Sequence, residues 1–173
     1  MKSIDVANMF IARHGGEMRL TNLSLNKLVY FAQVESLRAL GRPLFDDDVE
    51  AWDYGPVEPE VYHAFKGCGS SIVHEQARGG DGVTASPEET AVVDAVAERY
   101  GRLTAFDLVE ITHRPGSAWS RRYGRGGNAK ITADDIKSST DMEGRVDFGS
   151  TLSAGIRSVQ ERWPNALRLL GDA

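Results

Sequence analysis

The sequence predicts a mainly α, single compact domain around a central buried helix at about residues 24–40, with a small β-hairpin near residues 49–57. Three observations support this prediction. Residues 25–40 are apolar on two sides of a helical wheel, which is typical of a helix enclosed by its neighbours. In residues 49–54, Val49, Ala51 and Tyr54 alternate with acids and Trp52, and the run leads into a Gly-Pro corner. A chain of 173 residues, 41% hydrophobic and 26% charged, is ordinary for one globular domain.

The central helix is predicted from two apolar arcs on a wheel stepped by about 100° per residue. One polar strip separating the arcs holds Asn26 and Gln33, and the other holds Lys27 and Arg38. A helix of this kind packs against neighbours on both sides rather than lying on a surface. The first arc contains Leu25, Leu28, Val29, Ala32, Ala39 and Leu40, and the second contains Tyr30, Phe31, Val34 and Leu37.

Capping residues delimit the elements of the first half. Ser3 is predicted to cap a first helix, and Thr21 or Asn22 to cap the central helix, which ends at Gly41. The alternating run from Val49 predicts a short strand that turns at residues 55–56. Pro59 is suited to the first turn of the next helix.

The second half is predicted to hold shorter helices after an exposed connection at residues 70–85. A further helix is predicted from the apolar spacing between Leu152 and Trp163. Four hydroxyl residues that each precede a helical pattern mark the other helix starts: Ser86, Thr104, Ser117 and Thr132.

Three ordered segments read L-x-K-L-V-Y-F-A-Q from Leu25, G-R-P-L-F from Gly41, and V-E-A-W-D-Y-G-P-V-x-P-E-V-Y from Val49. In this order they resemble the Panacea domain, the family of SocA-like and GepA-like antitoxins. A weaker similarity follows in LVEITHRPGSAW at residues 108–119. The resemblance covers residues 1–137 and leaves residues 138–173, which we expect to form a C-terminal helical extension packed on the same domain.

The resemblance implies an antitoxin that neutralises a cognate toxin, encoded beside it, by direct protein–protein binding. In the SocA-like branch it further implies a protease adaptor, so that a cytoplasmic protease or its unfoldase would be a second partner. An antitoxin of this kind needs no active site.

Charge is unevenly distributed in a chain whose net charge is −5. Residues 43–65 hold seven acids and no Lys or Arg, whereas residues 112–132 hold five bases and no acid. Two interpretations stay open: ordinary solvated faces, or a bipolar surface that orients a protein partner. The acids are Asp46, Asp47, Asp48, Glu50, Asp53, Glu58 and Glu60, and the bases are Arg114, Arg121, Arg122, Arg125 and Lys130.

The Tyr-Gly-Pro-Val corner at residues 54–57 is predicted to be rigid, because glycine permits a positive φ and proline fixes the next one. It either locks the hairpin onto the following helix or presents aromatic rings to a partner. The predicted partner-binding residues are Trp52, Asp53, Tyr54, Gly55, Pro56, Val57 and Tyr62. Secondary candidates are His113, Trp119, Arg121, Arg122 and Arg125.

No residue pattern predicts catalysis, a cofactor or a metal. The four histidines lie on separate predicted elements, without the spacing of a zinc site. His113, near Glu110 and Ser117, could imitate a nucleophile–base pair, but a hydrogen-bonded structural histidine is the favoured interpretation. Cys68 is the single cysteine, which fits a reducing cytoplasm.

The predicted location is the cytoplasm, since no apolar run reaches the roughly 18 residues of a membrane span and the N-terminus lacks a signal-peptide pattern. The alternative function is a phage-linked nucleic-acid-associated regulatory protein that would use the basic stretch at residues 114–130. Nucleic acid is the less favoured partner, because phosphate binding requires an excess of Lys and Arg.

Overall fold

The computed structural model describes residues 1–80, 84–124 and 128–144. Within them the predicted mainly α fold with a small β-hairpin is confirmed. The helices are α1 (Ser3–His14), α2 (Asn22–Ala39), α3 (Pro59–Phe65), α4 (Pro87–Tyr100), α5 (Ala105–Thr112), α6 (Ala118–Arg122) and α7 (Ala133–Lys137). The strands are β1 (Val49–Trp52), β2 (Gly55–Val57) and β3 (Ala129–Ile131), and short 3-10 helices span Lys66–Cys68 and Thr140–Glu143.

Helix α2 is the centre of the domain, as its wheel predicts. It contacts α1, α3, α4, α5, α7 and β2, and 15 of its 18 residues are buried. Three residues of the polar strips, Asn26, Lys27 and Gln33, are buried with most of the apolar arcs, whereas Arg38 is exposed. The last turn differs from the prediction, because Ala39 is exposed and Leu40 only half-buried where the helix leaves the core and ends ahead of Gly41.

The side-chain caps agree with the sequence except at the first helix. Thr21, Ser86, Thr104, Ser117 and Thr132 each accept a hydrogen bond from the backbone N–H three residues later. At α1, in contrast, the N-cap is Lys2. The backbone N–H of Ser3, the first helical residue, donates 2.5 Å to the carboxylate of Asp47. The predicted serine cap is therefore replaced by an acid from the loop after α2.

The hairpin is part of a three-stranded antiparallel sheet in the order β2-β1-β3. In its register Trp52 lies opposite Gly55 across the turn, and Glu50 lies opposite Lys130 on the other side of β1. The sequence predicted β1 and β2 but not β3, whose three residues follow a glycine-rich and arginine-rich segment. Strand β3 is the element that brings the basic run beside the acidic hairpin.

The beginning of the C-terminal extension packs on the central helix. The Tyr30 hydroxyl donates 2.7 Å to Asp141, and Asp141 also accepts from the backbone N–H of Ala118. The helix predicted between residues 152 and 163 lies outside the described residues. Within the described ranges, no helix combines the length and the apolar character needed to cross a membrane.

Candidate partner-binding site

Two side chains of α2 form hydrogen bonds with the backbone at the Tyr-Gly-Pro-Val corner. Lys27 is fully buried, and its Nζ donates 2.6 Å to the carbonyl oxygen of Pro56. Asn26 accepts 3.2 Å from the backbone N–H of Glu58. A lysine and an asparagine from the polar strips therefore fix the backbone on both sides of residue 57, which explains why these residue types interrupt an otherwise apolar helix.

Gly55 sits where no side chain fits. Its φ is +101°, in the region that favours glycine. A Cβ atom there would lie 2.6 Å from Oγ1 of Thr112 and 2.9 Å from Cε of Lys27. The corner is thus pressed against both α2 and α5, and the glycine is required by contact as well as by conformation.

A buried acid faces the buried lysine. Glu58 is fully buried, and neither of its carboxylate oxygens has a hydrogen-bond partner among the described residues. Burial raises the pKa of Glu58 to about 8 against the opposing effect of Lys27, and burial lowers the pKa of Lys27 to about 7 against the opposing effect of Glu58. Both groups are consequently close to changing charge near neutral pH.

Three aromatic side chains, Trp52, Tyr54 and Tyr62, lie near this corner. The rings of Trp52 and Tyr62 meet edge to face with their centroids 4.9 Å apart, and Nε1 of Trp52 donates 2.7 Å to Glu50. Tyr54 projects at the turn with 64% of its surface exposed. The half-buried rings are therefore fixed, and Tyr54 is the ring open to solvent.

The rings line a groove of about 590 Å³ between the hairpin, the start of α2 and the end of α3. Five of the predicted partner-binding residues line this groove: Trp52, Asp53, Tyr54, Val57 and Tyr62. The other two, Gly55 and Pro56, are buried beneath it and hold the backbone. Sequence reasoning missed the remaining lining residues, which are Asn22, Leu23, Asn26, Lys66, Gly69 and Asn128.

The secondary candidates His113 and Trp119 support the hairpin from inside. Their rings stack with centroids 3.7 Å apart, and Nε1 of Trp119 donates 2.8 Å to the carbonyl oxygen of Trp52. Tyr123 stacks on the other face of Trp119 and donates 2.8 Å to Asp53. Nε2 of His113 is buried without a hydrogen-bond partner among the described residues, so this nitrogen does not make the hydrogen bond expected of a structural histidine.

Among the described residues, one ion pair joins the two charged runs. Lys130 pairs with Asp48 at 2.5 Å across the sheet, because β3 lies beside β1. Arg122 pairs with Asp135 at 2.7 Å. Burial acts to raise the pKa of Asp135, but the Arg122 guanidinium and Thr132 outweigh burial and hold this pKa at about 2. These ion pairs engage Lys130 and Arg122 of the basic run and Asp48 of the acidic run, and both interpretations of the remaining charges stay predictions.

Other charges of these runs are also used in folding. Arg121 donates 2.8 Å to the carbonyl oxygen of Ser138, and Asp47 caps α1. Arg125 lies outside the described residues. In the ranges that the structure describes, no three His, Cys, Asp or Glu side chains are grouped as metal ligands.

Comparison with known proteins connects this surface to a family. The profile of the family described as "Antitoxin SocA-like, Panacea domain" matches residues 25–120, more than half of the chain. That span contains the hairpin, the corner and the aromatic residues that line the groove.

A curated relative matches over a longer stretch. The chain is 33% identical over 124 residues to the protein named "Antitoxin SocA" of Caulobacter vibrioides (strain NA1000 / CB15N). The match covers 66% of this chain and 66% of that protein, just under two thirds of the relative's length. No solved structure matches the chain significantly.

Proposed function

Because the chain belongs to the family of SocA-like antitoxins with a Panacea domain, we propose that it neutralises a cognate toxin by direct protein–protein binding. The hairpin surface around Trp52, Tyr54 and Tyr62 is the proposed contact. Neutralisation of this kind requires binding alone, so we propose no turnover by this chain.

The observation that carries the proposal is an exposed aromatic surface on a rigid support. Tyr54 is exposed, yet it follows a strand whose end is tied down by Trp119 and precedes a corner tied down by Lys27. Aromatic residues in fixed positions lose little conformational entropy on binding and dominate many protein interfaces. Tyr54 lines the same groove as the rings of Trp52 and Tyr62, and a contiguous patch of this kind, unlike a single exposed ring, is typical of an interaction site.

Co-expression with the toxin encoded beside it tests the proposal. We expect cells to survive, and the tagged chain to recover the toxin as a complex burying roughly 1,200–2,000 Å². The double variant Trp52→Ala/Tyr54→Ala should lose both effects, whereas Phe106→Ala should lose neither, because Phe106 is equally exposed at 65% but lies on α5. Two soluble proteins that never associate would refute direct neutralisation.

A protease-adaptor activity is the finer form of the same proposal. It requires that the bound toxin be delivered to a cytoplasmic protease or its unfoldase, so the toxin should disappear faster in cells that contain this chain. Pulse-chase measurement of the toxin half-life, with and without the protease, checks this. A half-life lengthened equally in both strains would leave masking as the mode of neutralisation.

The nucleic-acid alternative is disfavoured by the pairing of its bases. Arg122 and Lys130 already neutralise acids of the same chain, and the net charge is −5. A gel shift with duplex DNA should show negligible affinity at physiological salt, and Arg121→Ala/Arg122→Ala should leave toxin neutralisation intact. Tight duplex binding lost in that variant would favour the alternative.

A further inference from the structure

We propose that the aromatic groove takes one extended segment of the toxin, whose large apolar side chain inserts among the three rings. A basic residue of that segment would lie next to Asp53, and an acidic residue next to Lys66. The inference rests on the proposed function and specifies the chemistry of the partner at that site.

The groove is of a size that can hold a ligand side chain. Its volume of about 590 Å³ lies within the range of roughly 300–1,000 Å³ found for ligand pockets. Leu23 on α2 and Val57 on β2 contribute apolar side chains to the lining, beside the rings of Trp52, Tyr54 and Tyr62. A large apolar side chain placed there would be surrounded by apolar atoms, while its backbone continued to either side.

Two amide side chains of the lining, Asn22 and Asn26, are already engaged in hydrogen bonds within the chain. Nδ2 of Asn22 donates 3.2 Å to the carbonyl oxygen of Tyr62, and Nδ2 of Asn26 donates 2.9 Å to Oδ1 of Asn22. The remaining Asn26 oxygen accepts from the backbone of Glu58. No set of converging unpaired amides is left in these two side chains to recognise a polar small molecule, so apolar contact provides the binding.

Strand addition at this edge of the sheet is prevented. Strand β2 is an edge strand, and an edge of this kind can accept a partner's strand through backbone hydrogen bonds. Here its central residue, Pro56, has no N–H, and the carbonyl oxygen of Pro56 is occupied by Lys27. The segment is therefore recognised through its side chains and not through backbone pairing.

Opposite charges at two sides of the groove favour one orientation of the bound segment. Asp53, at the hairpin turn, accepts from the neutral hydroxyl of Tyr123, and Lys66, after α3, makes no ion pair within the described ranges. The neighbouring Glu50, in contrast, lies opposite Lys130 in the sheet. Charge complementarity thus favours a basic residue at one end of the bound segment and an acidic residue at the other.

Photo-crosslinking of the full chain in complex with the toxin tests the position and the chemistry together. Tyr54→p-benzoylphenylalanine should crosslink to a single toxin segment that contains a large apolar residue flanked by opposite charges. The same replacement of Phe106, which is equally exposed, should give no crosslink. Crosslinks from position 106 alone, or from position 54 to a segment without a large apolar residue, would overturn the inference.

Titration calorimetry of the complex adds the energetic test. Tyr54→Ala should weaken toxin binding about tenfold or more, and Phe106→Ala should leave it unchanged. Asp53→Lys and Lys66→Glu should each weaken it about threefold to tenfold, with rescue when the crosslinked toxin residue is reversed in charge. A complex that forms but is indifferent to all three groove variants refutes the inference and the proposed contact surface, and leaves neutralisation by direct binding standing. The absence of any complex refutes both.

Discussion

At the scale of single residues, the polar side chains of α2 hold the segments that follow it in the sequence. Lys27 binds the corner at Pro56, and Gln33 binds the loop before β1, accepting 2.7 Å from the backbone N–H of Leu44 and donating 2.9 Å to the carbonyl oxygen of Phe45. Buried polar groups are tolerated when they are hydrogen-bonded. The partners here are backbone atoms, which cannot change rotamer as a side chain can. The buried carboxyl of Glu58 is different, because it has no such partner in the described chain.

Glu58 makes stability depend on pH in a defined direction. Its pKa is about 8 in the folded chain against the usual 4.5, so the folded state keeps a proton that the unfolded state loses. The resulting contribution to stability is complete below pH 4.5 and is lost as the pH rises through 8. Lys27 has the opposite effect on stability, over a higher pH range. Its pKa is about 7 instead of 10.5, so its contribution to stability is complete above pH 10.5 and is lost as the pH falls through 7.

We therefore expect Glu58→Gln to gain stability relative to the wild-type chain as the pH rises from 5 to 8. Urea denaturation at several pH values measures the difference in unfolding free energy between the two proteins. Glu60→Gln is the matched control, because it makes the same replacement at an exposed position two residues away. A constant difference for Glu58→Gln would show that this carboxyl titrates normally.

At the scale of elements, the hairpin is defined as much by what packs against it as by its own turn. Strand β1 is paired on both sides, Trp119 of α6 binds its last carbonyl, and α2 with α5 confines Gly55. The turn residues set the register, and the helices fix the corner in space. The backbone that carries Trp52 and Tyr54 is therefore held by contacts within the chain.

Gly55→Ala tests the confinement of the corner. Gly55 and Gly41 both have a positive φ, at +101° and +71°, but only at Gly55 would a Cβ atom meet other atoms. Both alanine variants should lose stability from the backbone conformation, and Gly55→Ala should lose about 1–3 kcal/mol more through overpacking. Thermal and urea unfolding measure both; equal losses would indicate that α2 and α5 yield at this point.

At the scale of the whole molecule, contacts between distant parts of the sequence close the domain around α2. Asp47 reaches back to cap α1, Lys130 pairs with Asp48, and Asp141 binds Tyr30 at a separation of 111 residues. Burial raises the pKa of Tyr30, as does the nearby carboxylate of Asp141, so its hydroxyl remains a donor. The short helix at Thr140–Glu143 is thereby held on the core, where the C-terminal extension begins.

Tyr30→Phe should destabilise the domain by about 1.5–3 kcal/mol, because it removes a hydrogen bond to a charged group without changing the ring. Tyr54→Phe is the control: it removes a hydroxyl from an exposed ring, and its effect should stay within about 0.5 kcal/mol. Denaturant unfolding of both variants checks the prediction. Equal effects would mean that Asp141 is satisfied by its other donors, including the backbone N–H of Ala118.

The sequence by itself determined what is local. Hydroxyl caps such as Ser86 and Thr104 act through residues three positions later, so the pattern of a few residues is enough to predict them. Periodicity likewise predicted the central helix and the hairpin, and the glycine and proline of the corner predicted its turn. The aromatic residues that line the groove were identified for the same reason, since they lie within the hairpin and the next helix.

Only the tertiary structure decided how charges and polar residues are used. Whether Lys27 is solvated or buried depends on what covers the polar strip, and here Pro56 and Glu58 do so from about 30 residues away. Strand β3 is too short to show a period and exists because β1 offers it an edge. That pairing brings Lys130 of the basic run to Asp48 of the acidic run. This contact and the groove between α2, α3 and the hairpin depend on residues far apart in the sequence, so packing sets them and local sequence does not.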